Sequence, residues 1–177
     1  MHEERDMPAV AMLPDGRILV AGGHGHTTQG PASPMRTAEL WNPDAKAWTG
    51  LPDMSHPRTG AAACVLACGD VMVVGGICGY DTGRIVRRRD AEFFDPVTLK
   101  WRDKCSDMAY ARGVPGLAVV PGGAVAIGSQ NHMDNGAANV EIYDEDTGRW
   151  FRLPHAMAKP RVAGSLITLP ASAFRRV

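Results

Sequence analysis

Four arginines recur along the 177 residues at near-equal intervals: Arg5, Arg58, Arg112 and Arg161, separated by 53, 54 and 49 positions. A guanidinium is a planar fork that grips a carboxylate through two parallel hydrogen bonds, so arginines brought to one place would suit an acidic peptide. Glu39, Glu92 and Glu141 recur just as regularly, each two residues before an aromatic (Trp41, Phe94, Tyr143). Pairing of these acids with the arginines inside the scaffold is the competing use. Both sets keep the period in every unit, whereas recognition tends to break symmetry, so structural pairing is favoured. Arg58 and Arg112 remain candidates for partner binding beside that reading.

Residues that break the period lie in the segments between the regular stretches. Arg84, Arg87, Arg88 and Arg89 form the densest charge cluster, partly offset by Asp81 and Asp90. Such a cluster docks an acidic partner or a phosphate, or else is a solvated loop. His24 and His26 stand in Gly-His-Gly-His and are candidates both for partner contact and for a metal, since imidazole is the commonest metal ligand. A third ligand would come from a distant segment, with His132 or Asp134 the natural choice, and His132 is also a partner-binding candidate. Solvated loop histidines are the commoner outcome, so no metal or cofactor is expected. Two glycine-rich stretches, GGHG and GGICG, precede strands rather than helices, which removes the nucleotide-loop reading. No Ser-His-Asp set and no paired carboxylates stand out as catalytic.

What must position these residues is a set of short strands. Apolar runs at Pro8–Leu13, Gly60–Leu66 and Pro115–Val120 each end in a turn (Pro14-Asp15-Gly16, Cys68-Gly69-Asp70, Pro121-Gly122-Gly123), and a second apolar run follows. That is the pattern of a β-hairpin. A hydrophilic loop then leads to a third strand bearing the glutamate and the aromatic. A turn built on Asn42-Pro43, Asp95-Pro96 or Asp144 leads to a fourth strand at Trp48, Trp101 or Trp150, seven residues after the aromatic. A methionine (Met1, Met54, Met108, Met157) precedes each arginine by four residues. Four antiparallel strands repeated about every 50 residues describe a propeller blade. The first strand is alanine- and glycine-rich, as suits the crowded axis of a ring.

The paired glycines Gly22-Gly23 and Gly75-Gly76, the aromatic before the turn and the tryptophan seven residues later together resemble the kelch family, over essentially the whole chain. The expected fold is an all-β kelch-type propeller. Blade one covers 1–53, blade two 54–107, blade three 108–156, and a partial blade four 157–177, with an innermost strand over Ala158–Leu169. Counted from Met108, the third diglycine becomes Ser129-Gln130 and the following loop is five residues shorter, so a distorted inner hairpin is expected there. The resemblance implies a protein-interaction module that presents its loops to a protein or acidic peptide, as in ubiquitin-ligase substrate recruitment or a cytoskeletal scaffold. The alternative is the propeller portion of a kelch-type enzyme, galactose oxidase-like or otherwise metal-dependent, with ligands outside this segment. No Cys/Tyr/His set here matches such an enzyme.

Nineteen basic and nineteen acidic residues leave no net field to attract nucleic acid or an anionic membrane. No apolar stretch is long enough to span a bilayer. Cys64, Cys68, Cys78 and Cys105 show no metal-ligand spacing and fall in one unit and its junction, which suggests free thiols in a reducing, cytoplasmic setting. Three units and a strand do not close a ring of four to eight blades. The chain is therefore expected to be a piece of a longer array, or to cover its open blade edges by self-association.

Overall fold

The computed structural model describes residues 1–25, 33–81, 84–102, 105–129 and 138–161. Among these residues sixteen strands form and no helix. The first unit supplies β1 (Ala9–Met12) and β2 (Ile18–Ala21), a small hairpin β3 (His24–Gly25) and β4 (Ser33–Pro34), then β5 (Ala38–Asn42) and β6 (Ala47–Gly50). The second repeats this with β7 (Ala62–Val65), β8 (Val71–Val74), a longer hairpin β9 (Ile77–Asp81) and β10 (Arg84–Arg87), then β11 (Ala91–Asp95) and β12 (Lys100–Arg102). The third supplies β13 (Gly116–Val120), β14 (Gly123–Ile127), β15 (Val140–Asp144) and β16 (Arg149–Arg152). Three four-stranded antiparallel sheets result, β1-β2-β5-β6, β7-β8-β11-β12 and β13-β14-β15-β16, each a propeller blade. Of the expected strand over Ala158–Leu169, residues 158–161 form no strand and residues 162–169 lie outside the described residues.

The seven-residue aromatic interval has a direct cause. The turn between the third and fourth strands places the two rings exactly opposite each other: Trp41 pairs with Trp48, Phe94 with Trp101 and Tyr143 with Trp150. Ring centroids lie 5.4, 5.2 and 5.4 Å apart in tilted arrangements, a geometry worth roughly 0.5–1.5 kcal/mol beyond burial. Asn42, Asp95 and Asp144 fold these turns by accepting backbone N–H bonds through Oδ1, from Asp44 and Ala45, Val97 and Thr98, and Thr147. Each turn needs one left-handed residue, filled by Lys46 (φ 50°), Leu99 (φ 57°) and Gly148 (φ 65°).

Alternation along each strand directs one face to each neighbouring blade. Leu19, Leu40 and Ala38 of blade one meet Val71, Val73 and Phe94 of blade two. The opposite face of blade two, with Met72, Val74 and Phe93, meets Ala124, Ala126, Tyr143 and Trp150 of blade three. All four residues of β8 are therefore completely buried. On blade one the corresponding outer face leaves Val10 52% and Met12 72% exposed.

A backbone bond also joins each blade to the segment that starts the next unit. Gly23 N donates to Arg58 O at 2.7 Å, Gly76 N to Arg112 O at 2.8 Å and Ser129 N to Arg161 O at 3.1 Å. This corrects the expected alignment of the third unit: its diglycine position is Gly128-Ser129, not Ser129-Gln130. The reason is the inner turn. Leu13–Arg17 and Leu66–Asp70 enclose three-residue loops, whereas Val120 pairs directly with Gly123 across Pro121-Gly122. One residue fewer in the turn moves everything after it by one. The third inner hairpin is regular, with five paired positions, and not distorted.

Candidate functional site

The recurring arginines sit where the chain enters each innermost strand. Arg58 is fully buried. Its Nε and Nη2 donate to Glu92 Oε1 at 3.2 and 2.9 Å, and its Nη1 to the carbonyl of Gly75 at 2.9 Å. Nη2 also donates to Asp90 Oδ2 at 2.7 Å. Glu92, itself fully buried, accepts the backbone N–H groups of Ser55 and His56 at 2.6 and 3.2 Å. Arg112 is likewise buried and bonds Glu141 at 2.8 Å and the Gly128 carbonyl at 2.7 Å. Arg5 bonds Glu39 at 3.2 Å and the Gly22 carbonyl at 3.0 Å. The same clamp thus closes each blade, fastening the entering segment to strands two and three. Arg58 and Arg112 hold the scaffold from inside it. Their burial takes them away from any docking surface, which corrects their place among the partner-binding candidates.

Other candidates lie around blade two. Hairpin β9–β10 rises from the end of β8, and Arg84 is exposed on it. Arg87, Arg88 and Arg89 line a cleft of about 410 Å³ together with His56, Cys78 and Asp107. Arg88 grips Asp90 with two bonds, Nε to Oδ1 at 2.7 Å and Nη2 to Oδ2 at 2.9 Å. Arg89 pairs with Asp107 at 2.9 Å, both well exposed. Burial pushes the Asp90 carboxyl upward, but Arg88 and Arg58 outweigh it and hold it down at about 2. Burial raises the Cys105 thiol, at the cleft wall, to about 11. All four cysteines are free thiols.

His24 lies in β3 with its backbone tied to Asp6 by bonds of 2.7 and 2.8 Å. Its proposed metal-binding companions His26, His132 and Asp134 lie outside the described residues. Among the described residues one group of metal-ligating side chains converges, His56 with Asp90 and Glu92. The carboxylate oxygens that face His56 are those already bonded by the Arg58 guanidinium. A divalent cation there would meet a buried positive charge, which opposes a metal.

The sequence reading passed over His56. Its signal was a departure from the repeat: Glu3 and Tyr110 hold the equivalent positions two residues after the methionine. The two loop hairpins were also missed, because their polar stretches carry no apolar alternation.

Three sheets of four antiparallel strands, packed face against face through apolar side chains and each closed by an arginine clamp, define a β-propeller. Residues 8–55 match the Kelch motif family model. Kelch-like ECH-associated protein 1B of Danio rerio is 32% identical over 93 residues, which is 52% of this chain and 15% of that protein. Kelch-like protein 34 of Homo sapiens is 28% identical over 138 residues, 76% of this chain and 20% of that protein. The solved structure of YjhT superposes over 88% of this chain and 53% of its own, with a TM-score of 0.74 and 19% identity. The chain thus resembles kelch-repeat proteins in motif and fold, and it spans a fifth or less of the length of these two curated relatives.

Proposed function

We propose that this kelch propeller is a protein-interaction module, and that its partner docks through acidic side chains on the cleft beside hairpin β9–β10. The observation that carries this reading is the grouping of Arg87, Arg88 and Arg89 around one cleft, with Arg84 exposed on the same hairpin. Lowered symmetry supports it too: the clamps recur in every blade, while this cationic hairpin belongs to blade two. Kelch relatives, one of them named for its association with ECH, are consistent with a protein partner. Recruitment of a substrate to a ubiquitin ligase, or assembly of a cytoskeletal scaffold in the cytoplasm, are the settings in which such a module would serve. Among the described residues no helix is long and apolar enough to cross a membrane.

The test replaces Arg84, Arg87 and Arg89 together by Ala and measures capture of an immobilised glutamate-rich peptide at neutral pH. Capture should fall at least about tenfold, with the midpoint of thermal unfolding little changed, because exposed ion pairs contribute under about 1 kcal/mol each. Undiminished capture would remove the hairpin from the docking surface.

A further inference from the structure

His56 is placed oddly for a histidine with nothing to do. Its side chain is 45% exposed, yet Nδ1 is shielded from solvent and makes no hydrogen bond. That nitrogen faces two carboxylate oxygens, Asp90 Oδ2 at 3.8 Å and Glu92 Oε1 at 3.9 Å. Both distances are about half an ångström or more beyond hydrogen-bonding range. A small rotation of the imidazole would close either gap.

Arg88 is the second part of the device. It lines the cleft and is held by two bonds to Asp90, so it cannot present its fork to a partner carboxylate without letting Asp90 go. Asp90 is largely shielded and would keep only Arg58, which it already shares with Glu92. A half-buried carboxylate stripped of one cation favours gaining another. The nearest group able to become one is His56, and a charge-assisted bond from an imidazolium is stronger than one from a neutral ring.

The remaining neighbours do not supply that charge. Arg87 and Arg89 already carry theirs, and Arg89 is paired with Asp107. Cys78, from β9, lies in the same cleft, and its thiol approaches the Val86 carbonyl at 3.6 Å. Cys105, from the connection to blade three, is a neutral thiol at ordinary pH because burial raises it.

We infer that an acidic partner entering this cleft draws Arg88 away from Asp90, and that His56 takes up a proton and replaces Arg88 there. Docking is then favoured by mild acidity. This rests on the acidic-partner reading of the cleft and adds its regulation. The alternative use of the same three side chains, a metal site, is opposed by the Arg58 guanidinium on both facing oxygens.

Fluorescence anisotropy of a fluorescein-labelled hexaglutamate peptide, between pH 6 and 8 at fixed ionic strength, tests the coupling. Glutamates stay ionised throughout that range, since their ordinary pKa is about 4.3. Affinity should fall as pH rises, by at most about tenfold per unit because one proton is exchanged. His56→Gln should abolish the slope and bind as wild type does at pH 8. Circular dichroism verifies that this variant folds, and His56→Asn serves as a second neutral replacement. Binding that is flat with pH, or a slope that survives in both His56 variants, overturns the inference alone. Absence of peptide binding at every pH defeats the acidic-partner reading and the inference with it.

Discussion

Blades one and two use the same clamp and differ in what it is attached to. In blade one Arg5 bonds Glu39 and takes its second acid from Glu3, which is 45% exposed. Glu3 in turn accepts from the Thr37 hydroxyl, so the clamp closes on its own blade. In blade two the Thr37 position is Asp90, which supplies the second acid from the loop side and shares it with Arg88. In both blades the arginine also reaches the backbone carbonyl at that position, Thr37 O at 2.9 Å and Asp90 O at 3.3 Å. Two side chains therefore separate a closed structural device from one connected to a cleft: His56 stands where blade one has Glu3, and Asp90 where it has Thr37. Repetition supplies the scaffold, and a local departure from it can join that scaffold to a surface.

The largest effect that would sharpen this comparison is loss of the clamp in blade two. Arg58→Ala leaves two acids facing each other with Glu92 fully buried, and breaking such a pair costs about 3–5 kcal/mol. Arg5→Ala should cost less, about 1–3 kcal/mol, because His2 also reaches Glu39, at 2.9 Å. Urea denaturation of the two variants decides this. Equal costs would show that the clamps are energetically interchangeable and that Asp90 adds nothing.

Exchanging one distinguishing residue is the next test. Asp90→Thr should leave the clamp of blade two with Glu92 as its one acid, since His56 stands where blade one has Glu3, at a cost of about 1–2 kcal/mol. The sign with pH follows from the depressed carboxyl of Asp90 in the folded state, at about 2. Its contribution is complete above the unfolded value near 4 and is lost as pH falls towards 2. The stability gap between wild type and Asp90→Thr should therefore narrow between pH 5 and 2. A gap constant over that range would mean that Asp90 is not held by its arginines.

The smallest effect concerns the outer turns. Lys46 holds φ 50° in blade one where Gly148 holds φ 65° in blade three. Lys46→Gly should relieve left-handed strain and raise stability by up to about 1 kcal/mol. Leu99, in the same conformation in blade two, packs against the core and should gain nothing when replaced by Gly. Paired thermal melts would separate the two turns.

The arginine–glutamate pairing was legible because both residues recur once in every unit, 34 positions apart in the first two and 29 in the third, where the intervening loop is shorter. The aromatic interval was legible for the same reason, since a turn of fixed length sets the register. Gly128-Ser129 was not, because an interval counted from Met108 hides a turn one residue shorter. Nor was the approach of His56 to Asp90. It depends on how the segment entering blade two lies against β11, a relation between elements far apart in sequence and unique to one unit. Arg88 shows the same limit: its charge was plain from the run of arginines, but the bond that occupies it was not.

The amides of Gly23, Gly76 and Ser129 each end on the carbonyl of an arginine that belongs to the next unit. Arg58 and Arg112 are locked by their own clamps, so blades one and two cannot melt without loosening the rim of the blade that follows. Unfolding should then travel along the array from its ends, as in a row of coupled elements. Hydrogen exchange at Gly23 would report the opening of blade two rather than of blade one. The molecule's resistance to heat is thereby a property of its joints, and a ligand that tightens blade two would be felt on both sides of it.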